Sequence, residues 1–176
     1  MPRLRSRLLL IAACTLPVIA QAHPGHDAGA SFASGILHPL TGLDHLLALI
    51  AVGLLAARMG GGALLAIPSA FLTLLMAGVA LGFSGVRLEF VEPAIVASIL
   101  ICGGLALLPP QRMPIATTGL AALFAVFHGN AHGIEAVTAL ERAHYAAGLA
   151  VSSAAVLILV AWLGSLPARA VSSSSR

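Results

Sequence analysis

Apolar residues fall along this chain in five long stretches, at 36–57, 63–83, 92–108, 115–140 and 145–163, parted by short breaks rich in Gly, Pro and Arg. Crossing a bilayer takes about 20 residues, with a range of about 17–25. All five stretches qualify, the third being short and the fourth slightly long. Hydrocarbon offers the backbone no hydrogen-bond partners, so each stretch is expected to be a helix. The pattern therefore predicts an all-α, polytopic membrane protein with about five transmembrane helices. The breaks agree with this. Arg58 to Gly62 reads as a flexible turn, and Pro109, Pro110 and Pro114 interrupt the chain between the third and fourth stretches. Gly78, Gly82, Gly103 and Gly104 lie inside stretches, where small residues let neighbouring backbones approach.

A sixth, shorter apolar run precedes these. Arg3, Arg5 and Arg7, the run itself and the small-residue site ending at Ala22 read as a cleaved secretory signal peptide. A lipoprotein reading, with Cys14 as the lipidated residue, is the weaker alternative because the run continues to Ala20. The expected organisation is a signal peptide at 1–22, an extracytoplasmic histidine-containing segment at 23–35, a helical bundle at 36–163 and a cytoplasmic tail at 164–176.

Composition strengthens the membrane assignment. The chain is 59% hydrophobic and only 9% charged, with a mean hydropathy of +1.02, whereas a soluble domain is about a quarter charged. Removing Arg3, Arg5 and Arg7 leaves 9 − 3 = 6 arginines against 6 acids. No basic stripe points to nucleic acid, and two cysteines make no disulfide framework. With residue 23 outside, Arg58, Arg112, Arg169 and Arg176 fall on the cytoplasmic side and Arg87 and Arg142 on the other. That bias follows the positive-inside rule and predicts the N-terminus outside and the C-terminus inside.

Against this apolar background two ionisable groups stand out. His38, Asp44 and His45 occupy the first stretch, and His128, His132 and Glu135 the fourth. An ionisable residue at bilayer depth costs several kcal/mol unless something compensates, so it marks function by default. His38 and His45 are two turns apart, about 10 Å along a continuous helix. They can share one ion only through another helix or a break, for which Pro39 and Gly42 offer an opportunity. His128, His132 and Glu135 at i, i+4 and i+7 project from one stripe. Two histidines at i and i+4 are the metal-binding spacing of HExxH, but no glutamate follows His128, so the base of a metalloprotease is missing. Gly129 and Gly133 leave room beside both rings for an ion or a close helix.

The two stripes run in opposite directions through the membrane. They are expected to meet level by level, His45 with His128 and His38 with Glu135. Such a ladder of moderate sites is what conduction needs. Mixed imidazole and carboxylate ligation suits Zn, Ni, Co, Cu(II) or Fe, and spacing alone does not choose among them. At the expected mature N-terminus, the free amine with His23, His26 and Asp27 can collect a metal from outside. Less eventful readings apply elsewhere. Ser69, Thr73, Ser98 and Cys102 read as packing residues, Glu141, Arg142 and His144 as a solvated loop, and Trp162 as an interface anchor. The two intramembrane groups themselves can also be read as polar networks that pin helices, with Asp44 capping a helix restart.

On three motifs the chain resembles the HupE/UreJ family of bacterial membrane proteins. They are HisProGlyHis at 23–26, HisProLeuThrGlyLeuAspHis at 38–45 and PheHisGlyAsnAlaHisGlyIleGlu at 127–135. The resemblance implies a permease for Ni²⁺ or Co²⁺ in the inner membrane, connected with urease or hydrogenase and the proteins that mature them. It implies His38, Asp44, His45, His128, His132 and Glu135 as functional positions, with the metal as cargo and no prosthetic group. Where many relatives have Met after that Glu, this chain has Ala136.

The expectation is thus an outer site of His38 and Glu135 and a midplane site of Asp44, His45, His128 and His132, fed by His23 and His26. Neutral imidazole ligates, so uptake is expected to weaken as pH falls through about 6.5, the ordinary histidine value. No GxxxxGK[ST] signature supplies ATP. The alternatives are an intramembrane metal-dependent hydrolase with Glu135 or Asp44 as base, and an accessory protein that holds metal without moving it.

Overall fold

The computed structural model describes residues 31–108, 114–135 and 139–173. All elements among them are helices: α1 (Phe32–Thr41), α2 (Leu43–Met59), α3 (Ala63–Phe83), α4 (Val91–Leu107), α5 (Pro114–Glu135) and α6 (Ala139–Ser173). The signal segment, His23 and His26 lie outside the described residues.

The first apolar stretch is not one helix. α1 starts on a capping box, in which Ser31 and Ser34 satisfy each other's backbone N–H groups at 3.1 and 2.8 Å. Pro39 lies inside its last turn, and Gly42 then leaves helical geometry at φ −75°, ψ 104°. A new helix starts at once, with Asp44 in its first turn, where a carboxylate favours the positive end of the helix dipole. The two axes differ by 77°. Proline and a break in the hydrogen-bond ladder are the ordinary causes of so sharp a change.

Length and apolarity suffice for membrane crossing in α3 and in the 141–166 part of α6, and in the bent α1–α2 pair taken as one span. The described helices therefore include two candidate spans, or three with the bent pair. α4 is short at 17 residues. α5 has the length at 22 residues, but His128, Asn130 and His132 dilute its apolar character. The segment Glu141–His144 is no loop: it forms the first turns of α6, and Arg142 donates to the Phe83 carbonyl at 2.8 Å.

The bundle inverts a soluble protein's surface. Ile115 and Leu65 are 88% and 77% exposed, while Ser98, His128, Asn130 and His132 are buried. Apolar outside and polar inside is the arrangement a lipid solvent favours. α3 and α5 touch backbone to backbone. A Cβ at Gly78 would collide with the Val126 carbonyl, and one at Gly129 with that of Leu75. Gly82 and Gly133 meet in the same seam, so the space beside the imidazoles admits a helix. Gly103 and Gly104 do not act this way, since Gly104 faces open space and Gly103 meets only the Ala51 methyl at 3.8 Å. A second seam, not evident in the sequence, joins α1 to α6 through Gly35 and Gly148.

Candidate metal centre

Four helices bring side chains to one point in the bundle. The bend at Gly42 sets α1 nearly perpendicular to α2, so His38 and His45 have ring centroids only 5.8 Å apart. The rise of a continuous helix would separate them by about 10 Å. α5 presents His132, whose ring lies 4.3 Å from that of His45 and 4.7 Å from that of His38. One ligand nitrogen from each of His38, His45 and His132 lies within 4.8 Å of the others. Nitrogens sharing an ion at about 2.1 Å stand no more than about 4.2 Å apart, so modest rotamer changes suffice to close the set.

The hydrogen bonds define the chemistry further. Asp44 accepts from the His45 backbone N–H at 2.9 Å and from its ring Nδ1 at 3.0 Å. An ionised carboxylate only accepts, so Nδ1 carries the proton. His45 Nε2 is then left with a lone pair, buried and without a hydrogen-bond partner. Burying an imidazole lone pair unpaired is costly, and a carboxylate behind the far nitrogen is the usual support of a metal-binding histidine. His132 is 2% exposed, and its Nδ1 lies 3.5 Å from the hydroxyl of Tyr145 on α6. Tyr145 also stands edge-on to His38, with ring centroids 6.0 Å apart.

His128 occupies a different place. Its ring stands edge-on to that of His45 at 5.2 Å, but the α5 ring nearest His45 is that of His132 at 4.3 Å. The expected level-by-level pairing is thus shifted by a turn, and His128 does not join the three-imidazole group. Its Nε2 lies 2.9 Å from Ser98 Oγ on α4, a residue the sequence marks only as packing. Glu135 ends α5, and its side chain, with the pairing to His38 expected of it, lies outside the described residues. Asn130, between the two histidines, bonds the loop before α4: it accepts from Leu88 N at 3.0 Å and donates to Val86 O at 2.8 Å. Ser98, Asn130 and Tyr145 escape sequence reading because each acts on a partner far along the chain.

Fold and site together define a helical membrane protein whose interior carries converging imidazoles rather than a soluble metal-binding domain. The chain belongs to the HupE/UreJ family, whose model, described as HupE / UreJ protein, matches residues 11–176. It is 37% identical over 156 residues to Protein HupE of Rhizobium leguminosarum bv. viciae, an alignment covering 89% of this chain and 81% of that protein. No solved structure matches.

Proposed function

We propose that the protein is an inner-membrane permease that carries Ni²⁺ or Co²⁺ toward the cytoplasm for urease or hydrogenase maturation. One observation carries this reading. Three buried or half-buried imidazoles from separate helical segments converge, and the Nε2 of one is buried with a bare lone pair. Neutral nitrogen donors suit borderline divalent cations and are poor ligands for Ca²⁺ or Mg²⁺. Within that borderline set, membership of the HupE/UreJ family supports nickel or cobalt as the cargo.

In this reading the chain crosses the membrane five times, with the N-terminus outside and α1–α2 forming one broken span. Broken helices near the midplane are a recurring way for transporters to expose ligands. His23 and His26 collect the ion at the outer face, Glu135 adds a carboxylate to the ladder, and Asp44 acts from behind His45. The membrane potential, a coupled ion or a partner protein supplies the driving force.

Purified protein in proteoliposomes, tested with Ni²⁺, Co²⁺, Zn²⁺ and Cu²⁺ in parallel, is expected to take up nickel or cobalt in preference to the others. Absence of flux for all four ions overturns the permease. Binding without flux favours a metal-holding accessory. Three imidazoles with an open position are also the ligand set of a hydrolytic zinc centre, and metal-dependent turnover of a lipid or peptide would favour that reading.

A further inference from the structure

We infer that Ser98 is a positioning residue for His128, and that the Ser98–His128 pair is a second station, which the cation reaches after leaving His38, His45 and His132. This rests on the transport reading above. Ser98 Oγ stands 2.6 Å from the Ile95 carbonyl oxygen and 2.9 Å from His128 Nε2. Two oxygens that close must have a hydrogen between them, and a carbonyl has none to give. The serine proton is therefore committed to Ile95. Ser98 can then only accept from His128, so Nε2–H is the donor and Nδ1 keeps the lone pair. Both partners are deeply buried, Ser98 at 0% and His128 at 2% exposure, so water does not compete for the arrangement.

The consequence is a division of labour among the histidines. With Nε2 tied to α4, His128 offers only Nδ1, and it stands apart from the three-imidazole group. Yet it is next in line. His45 lies between the two, 4.3 Å from His132 on one side and 5.2 Å from His128 on the other by ring centroids. Along α5, His128 precedes His132 by one turn, about 6 Å. In the proposed orientation that is one step closer to the cytoplasm. Adjacent sites of moderate strength, one sharing a ligand with the next, let an ion leave as readily as it enters. Ser98 is placed to keep His128 turned for that hand-over.

The test uses Ser98→Ala, Ser98→Thr and the full chain. Co²⁺ binding to detergent-purified protein is followed by absorbance, and Co²⁺ flux is measured in proteoliposomes. Ser98→Ala is expected to hold binding within about twofold while slowing flux at least tenfold, the scale on which outer-shell partners act. Ser98→Thr, which keeps the hydroxyl, is expected to restore most of the flux. Two-bond ¹H–¹⁵N spectra of histidine-labelled wild-type protein are expected to show His128 protonated on Nε2, with that preference lost in Ser98→Ala. A wild-type His128 protonated on Nδ1, or unchanged flux in Ser98→Ala, overturns this inference alone. Wild-type protein that binds and moves no Co²⁺ overturns the transport reading and the second station with it.

Discussion

The Asp44 carboxylate lies 3.0 Å from Nδ1 of its neighbour His45 and so decides which nitrogen of that ring enters the bundle. Adjacent residues on a helix rarely face the same way. Here the position in the first turn of α2 lets the carboxylate cap the His45 backbone N–H and bind its ring together. Asp44 is thereby better placed to support a ligand than to be one.

That role separates two substitutions. Asp44→Asn keeps an acceptor for Nδ1–H but removes the charge, whereas Asp44→Ala removes both. Cation affinity is expected to fall roughly 10- to 100-fold in the alanine variant and by less in the asparagine variant. Calorimetric titration with Ni²⁺ measures both. Equal losses would mean that the carboxylate oxygens themselves coordinate the ion.

The bend at Gly42 is the next point of leverage. Its backbone angles are open to any residue, but an alanine Cβ would press at 3.3–3.4 Å on His38 O, Asp44 Oδ1 and His45 Nδ1. Alanine also favours an uninterrupted helix by up to about 1 kcal/mol over glycine. Both effects push His38 and His45 apart. Gly42→Ala is expected to lower cation affinity at least tenfold while circular dichroism shows unchanged or slightly greater helicity. Wild-type affinity in this variant would show that the bend is not needed to assemble the site.

The site was legible in the sequence to the extent that it follows from one helix's periodicity. The 128/132 stripe and the approach of His45 to it come from helical rise and chain direction alone, though the nearer ring is His132 rather than His128. Pro39 and Gly42 advertised a break but not its angle, and the 77° bend is what turns a two-turn separation into contact. The serine behind His128 and the tyrosine beside His132 were not legible, because nothing local distinguishes Ser98 from other helix serines. Likewise the small residues announced close helix contacts without naming them: Gly78 and Gly129 meet other backbones, and Gly104 meets nothing.

This contrast gives a stability prediction. Gly129→Ala drives a methyl into the Leu75 carbonyl, and neither backbone can yield without parting α3 from α5. Overpacking of this kind costs about 1–3 kcal/mol, and it displaces His128 next door. Gly119→Ala, on the same helix with nothing within 4 Å, is expected to be neutral or to stabilise by up to about 1 kcal/mol. Thermal unfolding in detergent should therefore order the proteins as Gly119→Ala, wild type, Gly129→Ala from most to least stable.

Asn130 poses the last test, because its buried amide holds a loop and leaves the imidazoles alone. It satisfies Leu88 N–H and Val86 C=O across the α3–α4 connection, on the side of α5 away from the three-histidine group. Removing one partner of a buried hydrogen bond costs about 1–3 kcal/mol. Asn130→Ala orphans one donor and one acceptor. Asn130→Asp keeps the acceptor for Leu88 but sets a carboxylate against the Val86 carbonyl, so the greater loss is expected there despite its smaller change in shape. Hydrogen exchange should report the difference: the Leu88 amide exchanges faster in Asn130→Ala and faster still in Asn130→Asp, where repulsion from the Val86 carbonyl loosens the whole connection. Co²⁺ affinity per folded molecule stays near wild type in both. If affinity fell in step with loop protection, the α3–α4 connection would have to be counted as part of the cation site.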